Sequence, residues 1–246
     1  MIRSVLVGAL ALSLVACGTE EPADGLAGEI TVFAAASLTE TFTELGERFE
    51  EANPGTTVTF NFAGSSALAQ QINEGAPVDV FASASPANMD QVSQADEPTT
   101  FVRNRLEIVV PVGNPAGITG LADLADASRK IALCAEQVPC GAAAKKAFEA
   151  ADITAAPDTL EQDVKAVLTK VTLGEVDAAL VYRTDVLAAG DKVEGIEFPE
   201  AEQAINDYPI AALAEAPNAE GAAAFVEFVL SAEGVEVLTG AGFDKP

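Results

Sequence analysis

Two hydrophobic periods alternate along this chain. Ile30-Thr-Val-Phe-Ala-Ala-Ala36 is a short apolar run that reads as a buried strand, and Leu38, Phe42, Leu45 and Phe49 then fall on one face of an amphipathic helix. Asn53-Pro54-Gly55 ends that helix. Thr57–Phe62 alternates as a second strand, Ala67–Asn73 follows as a helix, and Val78–Ala82 is a third strand. A β-α-β-α-β run of this kind predicts a parallel sheet with covering helices.

The pattern continues with a strand at Arg105–Val112, and Gly113-Asn114-Pro115 marks a break where the chain enters a second lobe. Within that lobe the periods predict a strand at Lys130–Leu133, helices from about Gly141 to Ala151 and Val164 to Val171, and a strand at Val176–Tyr182. Tyr208–Leu213 is a strand that returns the chain to the first lobe, and a C-terminal helix runs from about Glu220 to Leu230. The 246 residues suffice for two modest lobes, each with its own core. The expectation is therefore an α/β fold of two lobes, with 29–107 and 208–246 in the first and 108–207 in the second. Mixed, mostly parallel sheets flanked by helices would enclose a cleft between them.

The N-terminus follows a different logic. Arg3 precedes an apolar run, Val5–Val15, too short to span a bilayer, and Ala16-Cys17-Gly18 follows. A cationic start, a short apolar core and small residues before a processing point predict a signal peptide over 1–16. Leu14-Val15-Ala16-Cys17 resembles a bacterial lipobox, which would make Cys17 the lipidated first residue of an exported protein, held on the outer face of the cell membrane or in a periplasm. The alternative is an incidental cysteine beside an ordinary cleavage site. Residues 17–28 are acidic and rich in turn formers and read as a flexible tether. Five residues separate the remaining cysteines, Cys134 and Cys140. In an oxidising exterior such a pair suggests a small disulfide loop; the alternative is a reactive thiol pair, with Cys140 near a helix start.

Charge narrows the partners. Asp and Glu number 38 against 13 Lys and Arg, giving a net charge of −25. The charge argues against nucleic acid as a partner, because counterion release needs clustered cations. The chain has no histidine, which removes Ser-His-Asp and Cys-His catalysis and every imidazole metal site. What remains for catalysis is carboxylate pairs, Lys, Tyr or a lone thiol, and what remains for binding is neutral hydrogen-bond donors and helix ends. The expectation is a binding protein that is no enzyme and uses no cofactor.

The candidate site lies where helices begin. Ser37-Leu38-Thr39-Glu40 has the form of a capping box, so Ser37 reads either as a helix N-cap or as a ligand group at a strand end. Gly64-Ser65-Ser66 repeats the arrangement after the second strand. Pro139-Cys140-Gly141 and Glu161-Gln162-Asp163-Val164 open two further helices, and Tyr182 adds a phenol at a strand end. Each helix start carries about half a positive charge with free N–H donors, so four of them supply about two charges' worth of attraction. That suits a tetrahedral dianion despite the acidic chain. A site of donors alone also favours fully deprotonated anions, since a ligand hydroxyl would find no acceptor.

At these residues the chain resembles the periplasmic molybdate-binding protein family. The matching stretches are Val32–Thr39, Phe62–Ala69, Gly75–Ala82, Val138–Gly141, Asp163-Val164 and Val181-Tyr182. The resemblance implies a type II periplasmic-binding fold and a molybdate or tungstate ion, its metal held only as the oxyanion. Ser37 and Ser65 would bind it through hydroxyl and amide, Cys140 and Val164 through backbone N–H, and Tyr182 through its hydroxyl. It further implies delivery to an ABC-type membrane permease by a monomeric, lipid-anchored receptor. Two departures stand out: Cys140 where alanine is common, and Gly64 where a further serine is frequent, which would remove an outer donor. Rival readings are the same fold serving sulfate or another small solute, and an exported thiol oxidoreductase using Cys134 and Cys140.

Overall fold

The computed structural model describes residues 26–246. The signal segment 1–16, Cys17 and most of the 17–28 tether lie outside the described residues. Two five-stranded sheets organise the rest. The first contains β1 (Gly28–Ala35), β2 (Thr56–Ala63), β3 (Val80–Ala82), β4 (Thr99–Asn104) and β10 (Asn206–Ala212), in the order β2-β1-β3-β10-β4. The second contains β5 (Leu106–Pro111), β6 (Ile131–Cys134), β7 (Thr159–Glu161), β8 (Ala178–Tyr182) and β9 (Val193–Ile196), in the order β7-β6-β8-β5-β9.

The sheets share one topology. β1 pairs parallel with β2 and β3, and β6 pairs parallel with β7 and β8. The fourth position of each sheet holds an antiparallel strand, β10 in one and β5 in the other. These are the strands by which the chain enters each sheet from its neighbour. The first crossing is the single residue Arg105 between β4 and β5; the second spans 197–205, between β9 and β10. Asn104 and Asn206 are paired across β4 and β10, so the two crossings lie side by side.

The crossing at Arg105 comes earlier than the boundary at 108 expected from the chain pattern, and the turn at Gly113 is not the entry point. The apolar run of β5 gave no sign of which sheet it joins, because Leu106, Ile108, Val109 and Val110 are buried and would suit either core.

Parallel strands covered on both faces explain the near-continuous apolar runs. Ile30, Val32 and Ala34 of β1 face one core, while Phe33 faces another. Against the first pack α1 (Thr39–Ala52), with Leu45 and Phe49, and α7 (Ala219–Leu230). Phe225 of α7 meets Phe42 and Phe49 edge-on at 6.2 and 5.3 Å, a favoured aromatic geometry. Against the second packs α2 (Ser65–Asn73), through Leu68 and Ile72. The second sheet has its own core, covered by α4 (Pro139–Ala150) and α5 (Val164–Thr172). Ala36, from the first lobe, belongs to that second core, so the lobes touch across the cleft.

Several elements were missing from the sequence reading: β4, β7, β9, the short helices α3 (Pro86–Met89) and α6 (Arg183–Ala189), and α8 (Ala232–Gly240). β7 and β9 are three- and four-residue edge strands, too short and too exposed to show alternation. Among the described residues no helix is long and apolar enough to cross a membrane.

Candidate functional site

The carboxyl ends of β1, β2 and β8 and the loops after β6 and β7 meet between the lobes, and each leads into a helix. The chain turns from β1 through a 3-10 turn, Ala36–Leu38, into α1. Gly64 caps α2, Val138 precedes Pro139 and α4, Asp163 caps α5, and Tyr182 caps α6. Together they line a small cavity between the lobes. Ser37, Ser65, Cys140, Val164 and Tyr182 all line it, beside Ala35, Ala36, Ala63 and Ala84. The small side chains would let a bound group approach the main chain closely.

No lysine or arginine is among the lining residues, and Asp163 is their one charged member. One Asp163 oxygen accepts the Ala166 N–H at 2.8 Å, the bond of an N-cap. Attraction for an anion therefore rests on the helix starts and hydroxyls. A larger recess of about 320 Å³ lies elsewhere, but its two arginines, Arg105 and Arg183, are matched by Glu107, Glu197 and Glu202, leaving no preference for an anion.

The structure corrects the capping reading of Ser37. Leu38 occupies the N-cap position of α1, with no side-chain cap bond. Ser37 Oγ instead pairs with Tyr208 Oη at 2.9 Å. Ser65 stands at the first position of α2, and its Oγ accepts the Ala84 N–H at 3.0 Å. Both hydroxyls are thus held in place while lining the cavity.

Behind them lies a buried polar network that the sequence reading missed. Asn206 Nδ2 donates to Tyr182 Oη at 3.0 Å and to the Ala84 carbonyl at 2.7 Å. Asn104 Nδ2 donates to Thr184 Oγ1 at 2.8 Å and reaches Tyr208 Oη at 3.5 Å. Burial raises the pKa of both phenols, Tyr182 well above the usual tyrosine value, so each keeps its proton. Tyr182 and Tyr208 are the chain's two tyrosines, and that scarcity was the available signal for Tyr208.

On the second-lobe side, Cys134 at the end of β6 is disulfide-bonded to Cys140 in the first turn of α4, with Cα atoms 5.7 Å apart. Both residues are buried. Gly141 is required here because a Cβ would overlap the Ala135 carbonyl. Gly64 is explained by a close approach too: a Cβ there would overlap the Gln162 carbonyl oxygen of the opposite lobe. Its φ of −60° is open to any residue, so contact across the cleft, not backbone conformation, favours glycine.

A family model described as bacterial extracellular solute-binding protein matches residues 30–244. The chain belongs to that family. The molybdate-binding protein ModA of Mycobacterium tuberculosis is 43% identical over 96% of this chain and 95% of its own length. The fold is also that of the periplasmic molybdate-binding protein of Azotobacter vinelandii, with a TM-score of 0.74, 18% identity and coverage of 88% of this chain and 99% of that one. The sulfate-binding protein SubI of M. tuberculosis gives a TM-score of 0.76 at 17% identity, covering 88% of this chain and 86% of that one. At these identities the two structures speak for the two-lobed α/β fold alone, which serves receptors for both anions.

Proposed function

We propose that this family member captures molybdate, or its analogue tungstate, in the cavity between the lobes and presents it to an ABC-type membrane permease. The observation that carries the reading is the meeting of four helix starts and the Tyr182 hydroxyl at one recess whose lining holds no lysine or arginine. Ser37 and Ser65 act through hydroxyl and amide, Cys140 and Val164 through backbone N–H, and Tyr182 as a phenol donor. The 43% identical molybdate-binding relative supports molybdate over sulfate.

The receptor is non-catalytic, uses no cofactor and acts as a monomer. A first lobe of 29–107 and 208–246 and a second of 108–207, adjusted to the crossing at Arg105, close on the anion. Closure is driven only as far as the ligand prefers the closed form. Export through the 1–16 signal and lipid attachment at Cys17 place it outside the cell membrane. A thiol oxidoreductase is disfavoured by the burial of the bonded Cys134 and Cys140.

Titration calorimetry against molybdate, tungstate, sulfate and phosphate tests the reading. Tight binding of the first two with weak sulfate and no phosphate binding is expected; tight binding of sulfate alone would replace the specificity.

A further inference from the structure

Lys165 and its two carboxylate partners play no part in the cavity itself. Each is nevertheless tied by chain position to a residue that lines it. Lys165 directly follows Val164, Glu40 lies three residues after Ser37, and Asp185 three residues after Tyr182. Lys165 Nζ stands 2.8 Å from both oxygens of Glu40, across the cleft, and 3.1 Å from Asp185 Oδ1 on its own side. Asp185 is fully buried, and its other oxygen accepts the Tyr182 N–H at 3.1 Å.

We propose that Lys165 is a positioning residue for the anion site, an ionic brace that ties the Ser37, Val164 and Tyr182 segments together only when the lobes are closed. The inference rests on the anion-receptor reading for its role and on the cross-cleft geometry for its existence. The Lys165–Asp185 pair lies within the second lobe and persists when the lobes part, whereas the Glu40 contact is lost.

The electrostatics agree. Burial by itself would lower the lysine's pKa, but Asp185 and Glu40 outweigh it and the net direction is upward, so the cation is retained. Asp185 is raised chiefly by burial, with Lys165 opposing, so the buried carboxylate depends on that neighbour. Glu40 is half exposed, which keeps its share of the brace small.

The test combines affinity with a ligand-free distance. Glu40→Gln should weaken molybdate binding by about two- to fivefold, through faster dissociation at an unchanged association rate. Lys165→Arg should stay near wild type. Lys165→Met, made together with Asp185→Asn so that no buried charge is orphaned, should match Glu40→Gln, and adding Glu40→Gln to it should cost nothing more. Spin labels on Glu227→Cys and Lys146→Cys report the lobe separation without ligand, where Glu40→Gln should reduce the closed fraction. Unchanged dissociation and unchanged distances in Glu40→Gln would overturn the brace. Failure of the wild type to bind molybdate, tungstate or sulfate would instead overturn the receptor reading, and the ligand-free distances would then decide the brace alone.

Discussion

On the proposed reading, the two halves of the cavity would offer an anion the same chemistry by largely different means. The first lobe presents side-chain hydroxyls, Ser37 and Ser65, each already held by a neighbour from its own lobe. In the proposed site the second lobe adds main-chain N–H groups at Cys140 and Val164, beside a disulfide and the Asp163 cap, and one side-chain donor, the Tyr182 hydroxyl. Hydroxyl donors depend on which residue is present. Backbone donors depend only on where the helix starts, so Cys140 and Val164 should tolerate substitutions that Ser37, Ser65 and Tyr182 do not.

The sharpest way to break this comparison is Ser37→Ala with Ser65→Ala. A hydrogen bond to a charged group contributes about 1.5–3 kcal/mol, so losing two should weaken molybdate binding by roughly a hundredfold or more. Stability should fall by about 1–3 kcal/mol per site, from the unpaired Tyr208 hydroxyl and Ala84 N–H. Calorimetry and thermal melts measure the two effects separately. Unchanged affinity would mean the hydroxyls serve only their protein neighbours.

A smaller effect is expected from Gly64→Ala, which tests the contact between the halves. The added Cβ would meet the Gln162 carbonyl of the opposite lobe, a clash that parting of the lobes should relieve. Overpacking of this kind costs about 1–3 kcal/mol, or roughly five- to 150-fold in affinity. The ligand-free melting temperature should stay unchanged while protection by molybdate shrinks. A lower ligand-free melting temperature with intact affinity would place the strain within the first lobe instead.

The legibility of these halves in the sequence differed as well. Buried strands and amphipathic helices follow local periods, so β1, β2 and α1 were readable, as were the helix starts that line the cavity. The roles of the residues there depend on distant partners. Ser37 looked like a cap because its local motif is a capping box, but its partner Tyr208 is 171 residues away. Asn104 and Asn206 sit at crossings whose adjacency exists only in the folded topology. Gly64 read as a lost donor because nothing local reveals the opposite lobe's Gln162. The Lys165 brace was invisible for the same reason, since Glu40 is 125 residues away from it.

The smallest effect on binding is expected at the disulfide. Replacing both cysteines, Cys134→Ser with Cys140→Ser, opens a loop between residues six apart and should lower stability by about 2 kcal/mol on the loop-entropy model. Molybdate affinity should change by less than about threefold, because the donor at 140 is the backbone N–H of a helix start that Val138, Pro139 and Gly141 still define. Chemical denaturation reads the first quantity and calorimetry the second. The two halves would then show opposite profiles, the serine pair acting mainly on binding and the cysteine pair mainly on stability. An affinity loss here as large as that of the serine variants would show that the backbone donors also depend on the side chains beside them, with the disulfide holding the Cys140 amide in its binding orientation.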